Sequence, residues 1–122
     1  MPLRILIVED EPLIAMDLND ILDDAGHEVV GIAATTAEAV QLAAASVPFD
    51  LAILDIDLSE GDDGIETASL LRRQHGIEAL FVSGRIDEES RARALSWQPV
   101  GFIGKPYLPS QVLAALKRVE DG

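Results

Sequence analysis

Short apolar runs alternate with longer amphipathic stretches along this chain of 122 residues. Val, Ile and Leu dominate the runs, and turn-forming residues bound them, which predicts strands buried on both faces of a parallel sheet. The stretches between the runs repeat apolar residues at every third or fourth position, as helices that pack on such a sheet do. The predicted strands are residues 3–8, 28–33, 51–54, 79–82 and 100–104.

A helix is predicted after each strand, and strand–helix alternation with right-handed crossovers gives a three-layer, doubly wound α/β fold. Thr35, with Glu38 three residues later, predicts a capping box at the start of the second helix. Gly26 and Gly76 are placed to end the first and third helices. The predicted helices cover about residues 11–25, 35–46, 65–75, 87–97 and 112–119.

The fourth predicted helix differs from the others because it has few apolar anchors. Asp87 is predicted as its N-cap, and charged residues fill much of its length. We expect it to be the least firmly docked element of the fold. Its apolar anchors are Ala92, Ala94, Leu95 and Trp97.

Polar residues directly follow four of the predicted strands. In a parallel sheet the carboxyl ends of the strands share one edge, and ligands bind there. If the strand order is 2-1-3-4-5, the first and third strands are neighbours, so Asp10 and Asp55 lie side by side. We therefore expect residues that are distant in sequence to meet in one small site. They are Glu9, Asp10, Asp55, Ser83 and Lys105.

These residue types suit a hard cation and a phosphoryl group. Carboxylates a few Å apart repel one another, and they either hold a proton or bind a cation. No His or Cys lies near them in the sequence, so oxygen ligands dominate and Mg²⁺ or a similar ion is the natural occupant. A carboxylate beside such an ion, facing Lys105 and Ser83, is suited to accept a phosphoryl group.

Composition excludes several other classes of function. The length of 122 residues fits a single domain, residues 1–122. Acidic residues outnumber basic ones by 22 to 9, so we expect no direct binding of nucleic acid. No apolar stretch approaches the roughly 20 residues that span a bilayer, and no signal peptide opens the chain. The absence of cysteine is compatible with the cytoplasm, the compartment we expect.

The chain resembles the receiver domain of two-component response regulators over essentially its whole length. The resemblance rests on residues that follow the strands, and it is specific because all of them occur in the same order and at similar separations. It implies a (βα)5 flavodoxin-like fold with the strand order 2-1-3-4-5. The matching residues are Glu9–Asp10–Glu11, Asp55, Ser83–Gly84 and Lys105–Pro106.

The resemblance also implies a reaction and its metal. Asp55 would accept a phosphoryl group from the phosphohistidine of a sensor histidine kinase or a histidine phosphotransfer protein, or from a small donor. Mg²⁺, or Mn²⁺, would be held by Glu9, Asp10, Asp55 and the backbone carbonyl of Asp57. Such a protein is a signalling phosphoacceptor rather than an enzyme with a separate substrate.

A switch is implied by the same resemblance. Lys105 would contact the phosphoryl group next to a cis Pro106, Ser83 would move towards the phosphate, and Phe102 would change rotamer with it. An aromatic residue on a strand is more often simple packing, so Phe102 is the weakest of these assignments. The output would be a population shift in the face built from the fourth helix, fifth strand and fifth helix, which could also form a homodimer.

Some features depart from the family pattern or refine it. Ser59 stands where a proline is common, and the loop up to Asp63 and Gly64 is one residue longer. The stretches LFVSGR and KPY are similar to a subclass with a Phe-Ala-Thr-Gly signature. We predict that Asp57 and Arg85 approach one another at the site entrance and modulate hydrolysis of phosphorylated Asp55.

Other polar residues are predicted to be structural. Asp62 and Asp63 are interpreted as turn acids, while Arg91 and Arg93 are interpreted as a solvated helix face that could contact a partner. His27 and His75 are expected to be exposed and to ligate nothing.

Three alternative functions are also compatible with parts of this pattern. A haloacid-dehalogenase-like phosphatase also uses an Asp-x-Asp pair, but its later metal-binding acids could only be Glu120 and Asp121. A flavin-binding flavodoxin-like domain needs a first loop rich in Ser, Thr and Gly, which this chain lacks. A degenerate receiver could act only as an interaction module. The sequence is compatible with a stand-alone regulator or with part of a longer protein.

Overall fold

The computed structural model describes residues 2–46, 48–93 and 95–121. In this part of the chain five parallel strands form one sheet, and the strand order is second, first, third, fourth, fifth, as predicted. The order in which successive strands are added therefore reverses between the first and third strands. Ligands bind at this switch point in folds of this type. The strands are β1 (Arg4–Val8), β2 (Glu28–Ala33), β3 (Leu51–Asp55), β4 (Glu78–Ser83) and β5 (Gly101–Gly104).

Helices cover both faces of the sheet and give the three predicted layers. Alternate side chains of each central strand point to opposite faces, so Ile5 and Ile7 lie in one core cluster and Leu6 and Val8 in the other. The first cluster is completed by the first and fifth helices, and the second by the helices between them. The helices are α1 (Pro12–Asp24), α2 (Thr36–Ser46), α3 (Gly64–His75), α4 (Ile86–Arg93) and α5 (Pro109–Asp121).

The ends of two helices follow the sequence signals. Thr35 Oγ1 accepts a hydrogen bond from the Glu38 N–H at 3.1 Å. The Glu38 carboxylate accepts one from the N–H of Ala34 at 2.7 Å, so the capping box is confirmed with its return bond one residue earlier than usual. Gly76 ends α3 in the left-handed conformation at φ 70°, which suits a glycine.

α4 is shorter than the sequence predicts, and the prediction of its N-cap was wrong. The helix begins at Ile86 and ends at Arg93, with Asp87 inside its first turn. Trp97 lies beyond the helix, with its ring centroid 6.3 Å from that of Phe81 and with the Arg72 guanidinium 5.0 Å from its ring. These contacts hold Trp97 against the sheet and α3. Ala94, another expected anchor, lies outside the described residues.

His27 is buried, so the prediction that it is exposed was wrong. Its Nδ1 accepts a hydrogen bond from the Leu3 N–H at 2.9 Å, and its Nε2 lies 3.3 Å from Glu120 on α5. His27 thus links the start of β1 to the end of α5, at the edge of the sheet opposite the carboxyl ends of the strands. A histidine after a helix-ending glycine gives no sequence sign of such long-range partners. His75 is partly exposed.

None of the helices in the described ranges combines the length and the apolar character needed to cross a membrane.

Candidate functional site

Three carboxylates meet at the carboxyl edge of the sheet. β1 pairs with β3 so that Val8 lies opposite Leu54, and the residues that follow therefore come together. Oxygen atoms of Glu9, Asp10 and Asp55 all lie within 4.8 Å of one another. Glu9 and Asp55 are buried, while Asp10 is partly exposed. The sequence predicted this cluster from the strand ends and the strand order.

Lys105 places its ammonium group between two of these carboxylates. The Nζ atom lies 3.0 Å from Glu9 Oε1 and 3.1 Å from Asp55 Oδ2. The N–H of Lys105 donates to the carbonyl oxygen of Ser83 at 2.8 Å, which fixes the end of β5 against β4. The bond between Lys105 and Pro106 is cis, as the resemblance implies. A single cation from the far strand thus neutralises part of the acidic cluster.

The pKa values in the cluster reflect this balance of burial and charge. Burial raises the pKa of Glu9 to about 7, although the hydrogen bond from Lys105 acts in the opposite direction. Burial would also raise the pKa of Asp10. Hydrogen bonds, of which that from Ser59 has the largest effect, outweigh burial and lower this pKa. For Lys105, burial favours the neutral amine, but the contacts with Glu9 and Asp55 outweigh it and raise the pKa. The ammonium form of Lys105 is therefore the stable one in this site.

Ser83 lies at the same edge, at the end of β4. Its side chain is buried, and its hydroxyl donates a hydrogen bond to the carboxylate of Glu88 on α4. Ser83 Oγ also accepts a hydrogen bond from the Arg85 N–H at 3.1 Å. The hydroxyl is therefore near the site, but its one hydrogen is engaged with Glu88 of α4. Sequence reasoning missed Glu88, although it stands four residues before the predicted anchor Ala92 and so shares its helix face.

The loop after β3 contributes one contact that the family pattern would not provide. Ser59 begins a short 3-10 helix, Ser59–Gly61, and its hydroxyl donates a hydrogen bond to Asp10. A proline at this position has no group that could do so. The N–H of Asp57 donates to Asp55 Oδ1 at 3.3 Å, so this loop also orients the central carboxylate. The side chain of Asp57 itself is exposed.

A cavity of about 450 Å³ opens over the cluster. Asp57 and Arg85 both line it, and Asp57 lies close enough for its charge to act on Arg85. The Arg85 guanidinium makes a direct contact with Asp87 at 3.0 Å, a partner only two residues away on the exposed surface. That contact with Asp87 raises the pKa of Arg85 and lowers the pKa of Asp87. The cavity is lined by Asp10, Glu11, Asp55, Asp57, Leu58, Ser59, Gly84, Arg85, Glu88 and Lys105.

Phe102 lies outside this cavity. It is half-buried on β5, opposite Phe81 of β4, and it packs against the core cluster that α2, α3 and α4 cover. It also lines a separate cavity of about 590 Å³ together with Leu95 and Trp97. A coupled rotamer change at Phe102 therefore stays a prediction.

The turn acids have more specific roles than the sequence indicated. Asp62 accepts a hydrogen bond from the Thr36 N–H at 2.9 Å, which links the loop after β3 to α2. Asp63 caps α3 by accepting from the Ile65 N–H at 2.8 Å, and it also pairs with Arg91 of α4. Arg91 and Arg93 are both exposed, as interpreted, although Arg91 also forms this ion pair with the start of α3.

Gly64 lets the start of α3 lie close to the backbone of Asp55. Its N–H donates to the carbonyl oxygen of Ile56 at 2.9 Å. A Cβ at this position would lie only 2.0 Å from the carbonyl oxygen of Asp55, so the backbone could not stay in place. The sequence contained the glycine, but only the structure reveals what approaches it.

Comparison with known proteins agrees with this geometry. Residues 5–117 match the response regulator receiver domain family. The chain belongs to this family. The match includes every element that carries a residue of the acidic cluster.

Some curated relatives of this receiver are about as long as the chain itself, and others are longer. It is 35% identical over 118 residues to the phyllosphere-induced regulator PhyR of Methylorubrum extorquens, covering 97% of this chain but 43% of that protein. It is 32% identical to the chemotaxis protein CheY of Thermotoga maritima, covering 95% of this chain and 96% of that protein. The receiver therefore spans less than half the length of the first relative and nearly all of the second.

Solved structures show the same fold. The crystal structure of the response regulator PhyR from Brucella abortus superposes with a TM-score of 0.85 at 32% identity, over 98% of this chain and 48% of that one. The receiver domain of Erythrobacter litoralis PhyR superposes with a TM-score of 0.85 at 28% identity, over 98% of this chain and 91% of that one.

Replacing Gly64 with alanine is expected to destabilise this receiver by about 1–3 kcal/mol or more, because a Cβ would collide with the backbone of Asp55. Urea unfolding measures the effect. Gly104→Ala is the matched control, since its Cβ would be 4.0 Å from the nearest atom, the Ser83 carbonyl oxygen. Equal losses of stability in the two variants would contradict the close approach at Gly64.

Proposed function

We propose that this receiver is a phosphoacceptor in two-component signalling and that Asp55 is the residue that is phosphorylated. The donor is the phosphohistidine of a sensor histidine kinase or of a histidine phosphotransfer protein. The observation that supports this most directly is the Lys105 ammonium, which lies within 3.1 Å of carboxylate oxygens of both Asp55 and Glu9. This function would place the chain in the cytoplasm, where ATP phosphorylates such kinases.

Phosphoryl transfer to Asp55 requires an ionised carboxylate and nearby positive groups that stabilise the negative charge that the phosphoryl group adds. An oxygen of Asp55 forms a bond to phosphorus while the bond between phosphorus and the donor imidazole nitrogen breaks, which gives an acyl phosphate. Lys105 is positioned to exchange its contact with the Asp55 carboxylate for one with a phosphoryl oxygen. Water later hydrolyses the acyl phosphate and restores the carboxylate.

The donor set fits Mg²⁺ or Mn²⁺. Among the residues that the structure describes, the possible ligands of the cluster are oxygen atoms, and three carboxylates within 4.8 Å of one another provide the charge that a hard cation needs. Glu9, Asp10 and Asp55 would hold the ion together with the backbone carbonyl of Asp57. When bound, the ion supplies positive charge that offsets the charge on the phosphoryl oxygens. Ser59 orients Asp10 for this role through its hydrogen bond.

Phosphorylation would act on a partner through a population shift of the face formed by α4, β5 and α5. Ser83 and Lys105 would stabilise the phosphorylated state, and Phe102 on β5 would follow Ser83. PhyR from Bartonella quintana, whose crystal structure is 30% identical in sequence to this chain, is an anti-anti-sigma factor. We extend to this receiver only the general idea that its output face controls another protein or a second copy of itself.

The alternative functions have less support. A haloacid-dehalogenase-like phosphatase would need the late acids near Asp55, but Glu120 lies 3.3 Å from His27 at the opposite edge of the sheet. A degenerate receiver would not need the cluster of Glu9, Asp10, Asp55 and Lys105 that this chain retains.

Acetyl phosphate with Mg²⁺ is expected to add one phosphoryl group to the parent protein, detected by intact mass, and none to Asp55→Asn. The amide lacks the nucleophilic oxygen charge that attacks phosphorus. Asp20→Asn, an exposed acid of α1, is the matched control and should be modified like the parent. Modification of Asp55→Asn to the level of the parent would show that the acceptor lies elsewhere.

Asp57 and Arg85 line the cavity over Asp55, and we expect both to influence dephosphorylation. Asp57→Asn should slow hydrolysis by about twofold to tenfold, because a carboxylate holds the attacking water better than an amide. Arg85→Ala should accelerate it within a similar range of about twofold to tenfold, because the side chain shields the entrance. The decay of phosphorylated protein, followed by intact mass, measures both rates.

Arg93→Ala is the control for these two variants, since Arg93 pairs with Glu89 on α4 and does not line this cavity. Rates identical to that of the parent in both Asp57→Asn and Arg85→Ala would contradict the assigned roles.

A further inference from the structure

Glu88 is a buried carboxylate for which the proposed chemistry provides no role. Glu88 is only 5% exposed, although most of the other charged residues of α4 are exposed to solvent. It shares the inward face of the helix with Ala92, which is 2% exposed. Burying a carboxylate is costly unless it is hydrogen-bonded, so its partner determines why it is there.

That partner is Ser83, the residue expected to respond to phosphorylation. The Ser83 hydroxyl donates to the Glu88 carboxylate, and both residues are buried. Glu88, rather than Ser83, lines the cavity that contains Asp55 and Lys105. A serine hydroxyl carries one hydrogen and can donate to only one acceptor at a time. Glu88 and a phosphoryl oxygen on Asp55 would therefore compete for the same hydrogen.

We propose that Glu88 is a positioning residue that holds the Ser83 hydroxyl away from the phosphoryl site until Asp55 is phosphorylated. This inference rests on the proposed function of Asp55. Transfer of the hydrogen bond from Glu88 to the phosphoryl group weakens the attachment of α4 and thereby couples the site to the output face. Glu88 makes no contact with the reacting atoms in this role, and it acts through Ser83.

The attachment of α4 is poised for such an exchange. A hydrogen bond to a carboxylate is roughly twice as strong as one between neutral groups, so its loss matters for a buried acid. The helix has eight residues, and among those whose side chains the structure describes, the other buried one is the small Ala92. The two arginines whose charges act on Glu88 already have other partners, because Arg85 pairs with Asp87 and Arg91 with Asp63. The released carboxylate gains most by moving towards water.

The proposal is tested by measuring the affinity for beryllofluoride, a mimic of the phosphoryl group, in saturating Mg²⁺ by calorimetry. Glu88→Gln keeps the shape of the side chain but weakens the acceptor, and Glu88→Met removes it. We expect affinity to increase from the parent to Glu88→Gln to Glu88→Met, by about twofold to tenfold in total. Glu89→Gln, the adjacent acid on α4, is the matched control and should leave the affinity unchanged.

The same substitutions in a Ser83→Ala background distinguish positioning from a simple charge effect. If Glu88 acts through the hydroxyl of Ser83, the gain disappears in Ser83→Ala/Glu88→Gln and Ser83→Ala/Glu88→Met. A gain of equal size in that background, or no gain in the parent background, overturns the proposal. Failure of the parent itself to bind beryllofluoride would instead overturn the proposed function, and this inference with it.

Hydrogen exchange of Ile86–Arg93 provides a second readout that does not depend on affinity. In the parent, beryllofluoride should accelerate exchange in this segment. In Ser83→Ala the segment should already exchange faster without the mimic and change little when it is added. Identical protection of the parent with and without beryllofluoride would contradict the release of α4.

Discussion

The ammonium group of Lys105 lies between two buried carboxylates, and the site at this edge of the sheet depends on that contact. Glu9, Asp10 and Asp55 could not remain crowded together as anions without a nearby positive charge, because their repulsion grows as water is excluded. Lys105 provides that charge from β5, two strands away from Asp55 in the sheet. Its contacts of 3.0 and 3.1 Å require β5 to be docked on β4 in the observed register.

The remaining parts of the site are held by backbone contacts at the same edge. The N–H of Lys105 bonds to Ser83, and the N–H of Gly64 bonds to Ile56, so β4, β5 and α3 all converge on the end of β3. Ser59 extends this arrangement to Asp10. Because these contacts involve different elements, the geometry of the acidic cluster depends on the packing of most of the fold. In the proposed switch, that dependence would connect a change at Asp55 to α4.

The sequence predicted the features that follow from periodicity and strand order. Strand ends mark Asp10, Asp55, Ser83 and Lys105, and the parallel sheet brings them together whatever the details of the loops. The early end of α4 was not predicted, and neither were the contacts that Trp97 makes beyond it with Phe81 and Arg72, which are distant in sequence. Residues whose partners are distant in sequence were also missed. These are His27, which contacts Leu3 and Glu120, and Ser59, which contacts Asp10.

The proposed phosphorylation of Asp55 requires a divalent cation, and we expect the three carboxylates that meet beside Lys105 to bind it. Calorimetric titration of Mg²⁺ into the parent and into Asp10→Asn tests it most directly, since Asp10 is the partly exposed member of the cluster and its replacement leaves the contacts of Lys105 intact. We expect one bound ion per parent molecule and a large loss of affinity in the variant. Equal affinities, or the absence of binding by the parent, would contradict it.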